Sequence, residues 1–315
     1  MKAAVVERYG PPEAARVADV EAPVPKPDEV RVRVLATAVT SGDARIRAGR
    51  FPRGFAVPAR LAFGLTGPRR RILGTTFSGV VDMVGARVSD FSIGDAVCGM
   101  TGARMGTHAE HVTVPVKRIS RKPAVVSHDD AAGLLFGGST ALWFLRDKGR
   151  VGEGASVLVN GASGAVGTNA VQLARHFGAS VTAVTSAPNA ALVERLGAER
   201  VIDHTTVDVT TIGDRFDVVL DTVGNLSIAT GRALLRPGGV LLLAVADLAD
   251  TIRARGRVVA GSAPERVADF DLVLGLVADG AMVVVHDQTY PLDDIAEAYR
   301  RVDGGHKVGN VVVRP

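Results

Sequence analysis

The stretch Val157–Gly178, VLVNGASGAVGTNAVQLARHFG, sets Gly161, Gly164 and Gly167 three residues apart between an apolar run and a helical pattern. In a strand-to-helix turn, a first glycine lets the chain reverse sharply and a second lets backbone approach a phosphate. The third lets the helix pack close to the strand. Ala162, Ser163, Ala165 and Val166 complete the turn. A helix starting here presents unpaired N–H groups and the positive end of its dipole to an anion. The reading is therefore a dinucleotide pyrophosphate site. Its alternative is a tight strand-to-helix turn that holds no ligand.

Outward from this turn the chain alternates strand and helix. Strands are expected at about 156–160, 180–185, 200–203, 217–221, 239–246 and 257–260. Helices are expected at about 164–177, 188–196, 225–235 and 264–279, and a long one at 129–148 follows a capping-box-like Ser127-x-x-Asp130. In the first of these helices Val166, Ala170, Leu173, Ala174 and Phe177 recur at helical spacing, with Gly178 placed as its cap. Strands alternating with helices of this length argue for an α/β fold with a parallel, doubly wound sheet over about 122–281. From residue 1 to 121 the pattern is instead short alternating segments punctuated by Pro and Gly. In VRVRVLA, Val30, Val32 and Val34 face one way and Arg31 and Arg33 the other, as in antiparallel β structure. The Gly- and Pro-containing stretch from Gly49 to Pro68 reads as a long loop, a possible functional cover. Ile295, Ala298, Tyr299 and Val302 share a helix face in the tail, and the closing strand GNVVV is expected to return to the first domain, so that 282–315 completes it.

Composition narrows the function classes. A chain of 315 residues, 47% apolar and 22% charged, can bury a large core. The net charge of +4 arises from 37 basic and 33 acidic residues spread along the chain, which gives little support to a nucleic-acid partner. The basic run Arg69–Arg71 reads as a solvated loop. A lone Cys98 excludes an internal disulfide framework and any multi-cysteine zinc site, and points to a reducing compartment. MKAAVVERYG places Glu7 and Arg8 where a signal peptide needs apolar residues, and no apolar run approaches the roughly 20 residues of a membrane span. A cytoplasmic protein with no membrane partner is expected.

The identity of the dinucleotide is read at the end of the second strand of the alternating part. A carboxylate there would bind the ribose 2′-hydroxyl of NAD. The strand instead ends at Thr185 and Ser186, with no carboxylate before Glu194. Small hydroxyls donate to a 2′-phosphate that a carboxylate would repel, so NADPH is favoured over NADH. His204, just past the third strand, reads either as another donor to that phosphate or as an exposed loop histidine.

Taken together, VTSGDARIRAG (39–49), LGTTFSGVVDMVGARVSDFSIGDAVCG (73–99), GTHAEHVTVP (106–115), GGSTALWFL (137–145), NGASGAVG, LGAERVID, FDVVLDTVG, LRPGG and GHKVGNVVV resemble, in order and spacing, the medium-chain dehydrogenase/reductase superfamily, and within it the zinc-independent quinone oxidoreductase-like branch. The resemblance runs nearly end to end. It implies a GroES-like catalytic domain and a Rossmann cofactor domain with the active site in the cleft between them, and a homodimer. It also implies where the chain departs from its relatives. Zinc-dependent relatives carry a catalytic cysteine near TSGD and Gly-His-Glu near LGTTFSG, and neither is present, so no zinc is expected. His108 and His111, three apart on an expected strand, would point to opposite faces and read as surface or packing residues. NADPH-using relatives often carry Ser-x-x-Lys, where this chain has Ser186 and Asn189. Many carry a tyrosine at the position of His204. Lys307, in the terminal motif, is a further candidate cation for the cofactor. Quinone reductases often have Asn-Pro-x-Asp and then a tyrosine, where this chain reads Thr40-Ser41-Gly42-Asp43 with Arg45 near the tyrosine position. Asp43 is expected to fix that loop or to pair with Arg47.

The chemistry implied is hydride transfer from NADPH to a quinone or an α,β-unsaturated carbonyl, acceptors already activated by conjugation and not dependent on a Lewis acid. By position in the resemblance, Thr40 is a hydroxyl near the reacting carbonyl or the nicotinamide ribose, Thr140 a nicotinamide-side contact, and Arg45 a guanidinium able to polarise the acceptor oxygen. Phe51, Phe55 and Phe63 read either as lining of a flat apolar cleft or as core. Two other readings share the fold: a metal-free alcohol or aldehyde reductase, and a non-catalytic NADPH-binding sensor or structural protein.

Overall fold

The computed structural model describes residues 1–315, which divide into two compact units. The first comprises Met1–Phe51, Ala56–Phe136 and Glu265–Pro315, and the second Pro52–Phe55 and Gly137–Pro264.

The first unit opens with β1 (Lys2–Val6), β2 (Ala15–Asp19) and β3 (Glu29–Val39), followed by α1 (Ser41–Ala48) and α2 (Ala56–Phe63). β4 (Thr76–Val84), β5 (Ala96–Met100), β6 (His111–Pro115) and β7 (Ile119–Arg121) precede α3 (His128–Leu142), which ends in the second unit. The expected alternation in β3 is present: Val30, Val32 and Val34 are buried with Phe77, Val81 and Val97, while Arg33 is exposed. Neither α1 nor α2 is announced by apolar periodicity. α1 is instead specified by its cap, and α2 stands inside the stretch read as a loop, with Pro58 tolerated in its first turn.

In the second unit, β8 (Ser156–Asn160), α4 (Ala165–His176), β9 (Ser180–Thr185), α5 (Ala190–Leu196), β10 (Arg200–Asp203), β11 (Phe216–Asp221), α6 (Ile228–Ala233), β12 (Leu235–Leu243), α7 (Leu248–Arg253) and β13 (Val258–Ala260) follow in turn. The six strands are all parallel, in the order β10-β9-β8-β11-β12-β13. Renumbered within the unit this is 3-2-1-4-5-6, the order of a dinucleotide-binding doubly wound sheet, whose ligand crevice lies at the carboxyl end of the first strand where the order reverses. The expected strands at 156–160, 180–185 and 200–203 match in both bounds. β12 starts earlier than expected because Leu235 pairs with Phe216 before a register shift that takes up the two glycines Gly238 and Gly239. Capped by Asp247, α7 was not anticipated. The helix expected over 129–148 is present, but its last turn, Trp143–Lys148, is a π-helix.

The tail supplies α8 (Val267–Ala278), β14 (His286–Pro291), α9 (Ile295–Asp303) and β15 (Asn310–Arg314). β15 lies between β14 and β3, with Val311–Val313 antiparallel to Thr37–Val39, so the closing strand does return to the first sheet. Ile295, Ala298, Tyr299 and Val302 are the buried face of α9, packed on Val39, Ala44 and Val311. α8 groups with the first unit, although its alternation with strands places it in the cofactor part on sequence grounds. Side-chain bonds explain this: Arg118 pairs with Glu265 at 2.8 Å just before α8, and Ser120 of β7 donates to Asp271 within it. No helix is long and apolar enough to cross a membrane.

Candidate functional site

The glycine turn lies at the carboxyl end of β8. Gly161 has φ +82°, and a Cβ there would sit 2.5 Å from Thr222 Oγ1, so both conformation and space demand glycine. At Gly167 a Cβ would collide with the Gly161 carbonyl, which lets α4 seat directly on the turn. Gly164 differs from both. Its φ is −79°, and a Cβ would meet only Gly161 O, at 3.5 Å. Nothing in the fold fills the space that its missing side chain leaves. Gly164 is also the N-cap of α4, and no side chain caps the helix. The first-turn amides of Ala165, Val166 and Gly167 are thus left to an external acceptor. This open, uncapped cradle fits a dinucleotide pyrophosphate.

Neighbouring strands hold the cradle in place. Asn160 Nδ2 donates to Asp221 Oδ1 at 2.9 Å across the parallel pair β8/β11, and Thr222 Oγ1 donates to Asn160 O at 2.8 Å. Asp221 is wholly buried and accepts the amides of Val223, Gly224 and Leu226, while burial raises its carboxyl pKa against those bonds. Sequence reading took FDVVLDTVG only as a family marker and missed Asn160, Asp221 and Thr222. The available signal was a polar residue at the last position of each of two adjacent buried strands.

Four of the expected cofactor residues converge on one network. Thr185 Oγ1 donates to Ser163 Oγ at 2.8 Å, and Asn189 Nδ2 donates to Ser163 Oγ at 3.3 Å and to Ser186 Oγ at 3.2 Å. Thr185 is buried and its hydroxyl hydrogen is spent on Ser163, so it positions rather than donates. Ser163 and Ser186 only accept in this network, which leaves each hydroxyl hydrogen for a ligand. His204 N donates to Thr185 O at 3.1 Å, which brings the exposed histidine to the same sheet edge. Asp203 stands there too, in register with Thr185. Its carboxylate accepts the Thr205 amide at 2.9 Å and its hydroxyl at 2.8 Å, bonds that hold its pKa below the usual range. Ala162 is buried and donates its amide to Val184 O at 3.0 Å, making it a framework residue of the turn. At Gly137 of α3 a Cβ would collide with Ala165 O, so α3 closes on the start of α4, and half-buried Thr140 follows one turn later.

The remaining expected residues lie in the first unit. Thr40 is the N-cap of α1 in a complete capping box: its amide and hydroxyl donate to Asp43 Oδ2 at 2.9 and 2.6 Å, and its Oγ1 accepts the Asp43 amide at 3.1 Å. The Thr40 hydroxyl hydrogen is therefore committed, and one lone pair is free to accept. Asp43 fixes the loop, but Arg47 pairs with Asp303 of α9 instead, donates to Gly10 O at 2.6 Å and lies over the Tyr299 ring at 5.1 Å. Arg45 is half-buried without a protein acceptor for its guanidinium, and desolvation lowers its pKa. Lys307 donates to Gly309 O at 2.7 Å, and burial pushes its ammonium down to about 8. Phe51 and Phe63 stack at 6.0 Å beside Tyr9, and Phe63 also packs against the core cluster that holds Val39 and Val311.

The Thr40 hydroxyl is engaged in a helix cap, and no group of three His, Cys, Asp or Glu side chains is placed to hold a metal. His108 is not on a strand: it precedes β6, fully buried, with Nε2 3.1 Å from Ala38 O and Nδ1 3.2 Å from Tyr299 OH. Burial lowers its pKa, so the ring is neutral, donating from Nε2 and accepting at Nδ1. His111 lies 3.2 Å from Asp82.

Comparison with known proteins agrees with this geometry. The alcohol dehydrogenase GroES-like domain family matches residues 26–124, and the zinc-binding dehydrogenase family matches residues 196–313. The chain is 30% identical, over all of its length and 80% of the relative's, to an NADPH-dependent alkenal/one oxidoreductase of Arabidopsis thaliana. Among solved structures, the quinone oxidoreductase from Coxiella burnetii superimposes with a TM-score of 0.89 at 26% identity, covering 100% of this chain and 99% of that one. An NAD-dependent alcohol dehydrogenase superimposes at 0.83 with 28% identity, covering 100% of both chains. A GroES-like first domain, a 3-2-1-4-5-6 parallel sheet with an open glycine cradle, and relatives matched over the full length lead to one conclusion: the chain belongs to the medium-chain dehydrogenase/reductase superfamily, in its quinone oxidoreductase-like group.

Proposed function

We propose that the protein is a zinc-independent reductase that uses NADPH to reduce a quinone or the carbon–carbon double bond of an α,β-unsaturated carbonyl. The observation that carries the reading is the combination of an open, uncapped cradle at Gly164 with a first unit that has no cluster of metal-ligating side chains and whose Thr40 is engaged in a helix cap. When bound, NADPH supplies the hydride. The amides at the start of α4 and the Ser163 hydroxyl hold the pyrophosphate. Ser186 and His204 donate to the 2′-phosphate, Asn189 orients the Ser186 hydroxyl by donating to its oxygen, and Thr140 meets the nicotinamide side. With its hydrogen on Asp43, Thr40 acts as an acceptor, suited to a ribose hydroxyl. Arg45, a desolvated guanidinium without a protein partner, stabilises charge that develops on the acceptor oxygen as hydride arrives. Lys307 is a cation of secondary weight, because its ammonium is already bonded within the chain. The related proteins named for alkenal/one and quinone substrates support the acceptor class.

The reading is tested by anaerobic oxidation of NADPH and NADH with a quinone, an enone and the saturated analogue of that enone, together with metal analysis of the protein. Turnover of the first two with NADPH, and not of the saturated carbonyl, is the expected result. Preference for the saturated carbonyl, or a stoichiometric zinc, would overturn it. Arg45→Ala is expected to lower kcat/KM by about 10- to 100-fold, from loss of a charge-assisted contact of roughly 1.5–3 kcal/mol. If both Arg45→Ala and Thr40→Ala kept wild-type kcat/KM, the assignment of this site would be wrong.

A further inference from the structure

α2 is amphipathic in the wrong sense for a helix that only packs. It buries Ala59 and half-buries Phe63, one turn apart, and turns Val57 and Leu61, also one turn apart, outward with 70% and 59% exposure. Leu65, just beyond the helix, is 64% exposed. From Ala56 to Arg71 the chain contains four arginines, Arg60, Arg69, Arg70 and Arg71, and no acidic residue. All four are exposed; Arg71 faces Glu7 at 3.9 Å in a solvent-exposed pair, and Arg60 lies over the Tyr9 ring at 5.7 Å. The segment is held in shape. Tyr9 OH donates to Gly64 O at 2.6 Å, Arg69 N donates to Phe63 O at 2.6 Å, and Phe63 stacks on Phe51.

Three exposed aliphatic side chains on a segment that carries four exposed arginines, Arg69 and Arg70 of them without a carboxylate partner, suit a partner that is both apolar and anionic. A second copy meeting the same patch across a two-fold axis would set arginine against arginine. A nucleic acid would use the arginines and leave the aliphatics in water. An anionic bilayer uses both, taking apolar side chains to the level of the acyl boundary and cations at the phosphates. We propose that Ala56–Arg71 is a docking surface for an anionic lipid membrane, with Val57, Leu61 and Leu65 entering the interface and Arg60, Arg69 and Arg70 contacting headgroup phosphates. The surface goes beyond the proposed reaction and does not depend on it.

The test is cosedimentation of the full chain with vesicles of phosphatidylcholine alone or mixed with phosphatidylglycerol, at low and at physiological ionic strength. Binding to the mixed vesicles only is expected, weakening with salt and falling by about fivefold for each of Arg69→Ala and Arg70→Ala. Leu61→Glu, an exposed substitution whose folding is checked by circular dichroism, is expected to abolish it. No binding to the mixed vesicles at low salt would overturn the proposal. So would binding that Leu61→Glu leaves intact and that RNA displaces, since the patch would then be a polyanion surface and not a lipid one.

Discussion

Alanine at Gly161 would have to adopt a left-handed backbone and place its methyl 2.5 Å from Thr222 Oγ1, whereas alanine at Gly164 meets nothing closer than 3.5 Å in an ordinary conformation. The two substitutions should therefore separate folding from binding. Gly161→Ala is expected to lower unfolding stability by about 1–2 kcal/mol or more in a denaturant titration. Gly164→Ala should leave stability nearly unchanged and weaken NADPH binding by isothermal titration, because its methyl projects into the space reserved for the pyrophosphate. If Gly164→Ala bound NADPH normally, the turn would not be the cofactor cradle. One step along the sheet, Ser186→Ala should raise KM for NADPH by about 10- to 100-fold, the worth of one hydrogen bond to a charged group, and leave KM for NADH unchanged. The turn glycines were legible in the sequence because a strand-to-helix turn with this φ and this close a helix needs glycine at Gly161 and Gly167. The division of labour around them was not. Thr185 and Ser163 are both hydroxyls, and only the geometry tells that Thr185 donates to Ser163 and that Ser163 keeps its hydrogen.

At the scale of elements, the inner strands of the parallel sheet could be read because burial on both faces keeps charged residues out of them: β8 and β9 fall where expected, as does the edge strand β10, whose Ile202 alone is buried. α1 could not, because it is polar and is specified by the Thr40–Asp43 box and not by an apolar face. Asp43→Ala removes the acceptor of Thr40's amide and hydroxyl, and loss of such a cap is expected to destabilise the protein by about 1–2 kcal/mol. The same substitution frees the Thr40 hydroxyl to rotate, so KM and kcat should both change if Thr40 faces a ribose hydroxyl, while a purely structural cap would affect stability alone. α2 escaped for a different reason: its aliphatics point outward, so a pattern search for a buried stripe finds a loop. Of the two readings of Asp43, fixing its loop or pairing with Arg47, the first is what the fold shows, and Arg47 pairs with Asp303 because α9 lies against α1.

For the molecule as a whole, a chain whose last strand joins its first sheet should unfold the tail and the first unit together. Lys307 offers a handle on that unit. Burial pushes its ammonium in the folded chain down to about 8, from an ordinary value of 10.5, so between those values the unfolded chain binds more protons and stability should rise with pH. Below about pH 8 the cost of the buried ammonium is present in full. Lys307→Met is expected to flatten that slope in urea titrations from pH 7 to pH 10.5, and an unchanged slope would show that the ammonium is not desolvated in the native state. The return of the tail was legible in GNVVV, because a strand left over after a completed parallel sheet needs another sheet. The grouping of α8 with the first unit was not, since it depends on Arg118–Glu265 and Ser120–Asp271, pairs that are remote in the chain.

The central claim, that hydride passes to an acceptor activated by conjugation and not to an isolated carbonyl, is open to one direct measurement. NADPH deuterated at the nicotinamide C4 is incubated with the enzyme and an α,β-unsaturated ketone, and the product is examined by NMR. The account predicts a saturated ketone with deuterium on the β-carbon. Deuterium on the carbonyl carbon of an allylic alcohol would contradict it, and would assign the protein to alcohol dehydrogenase chemistry on the same fold.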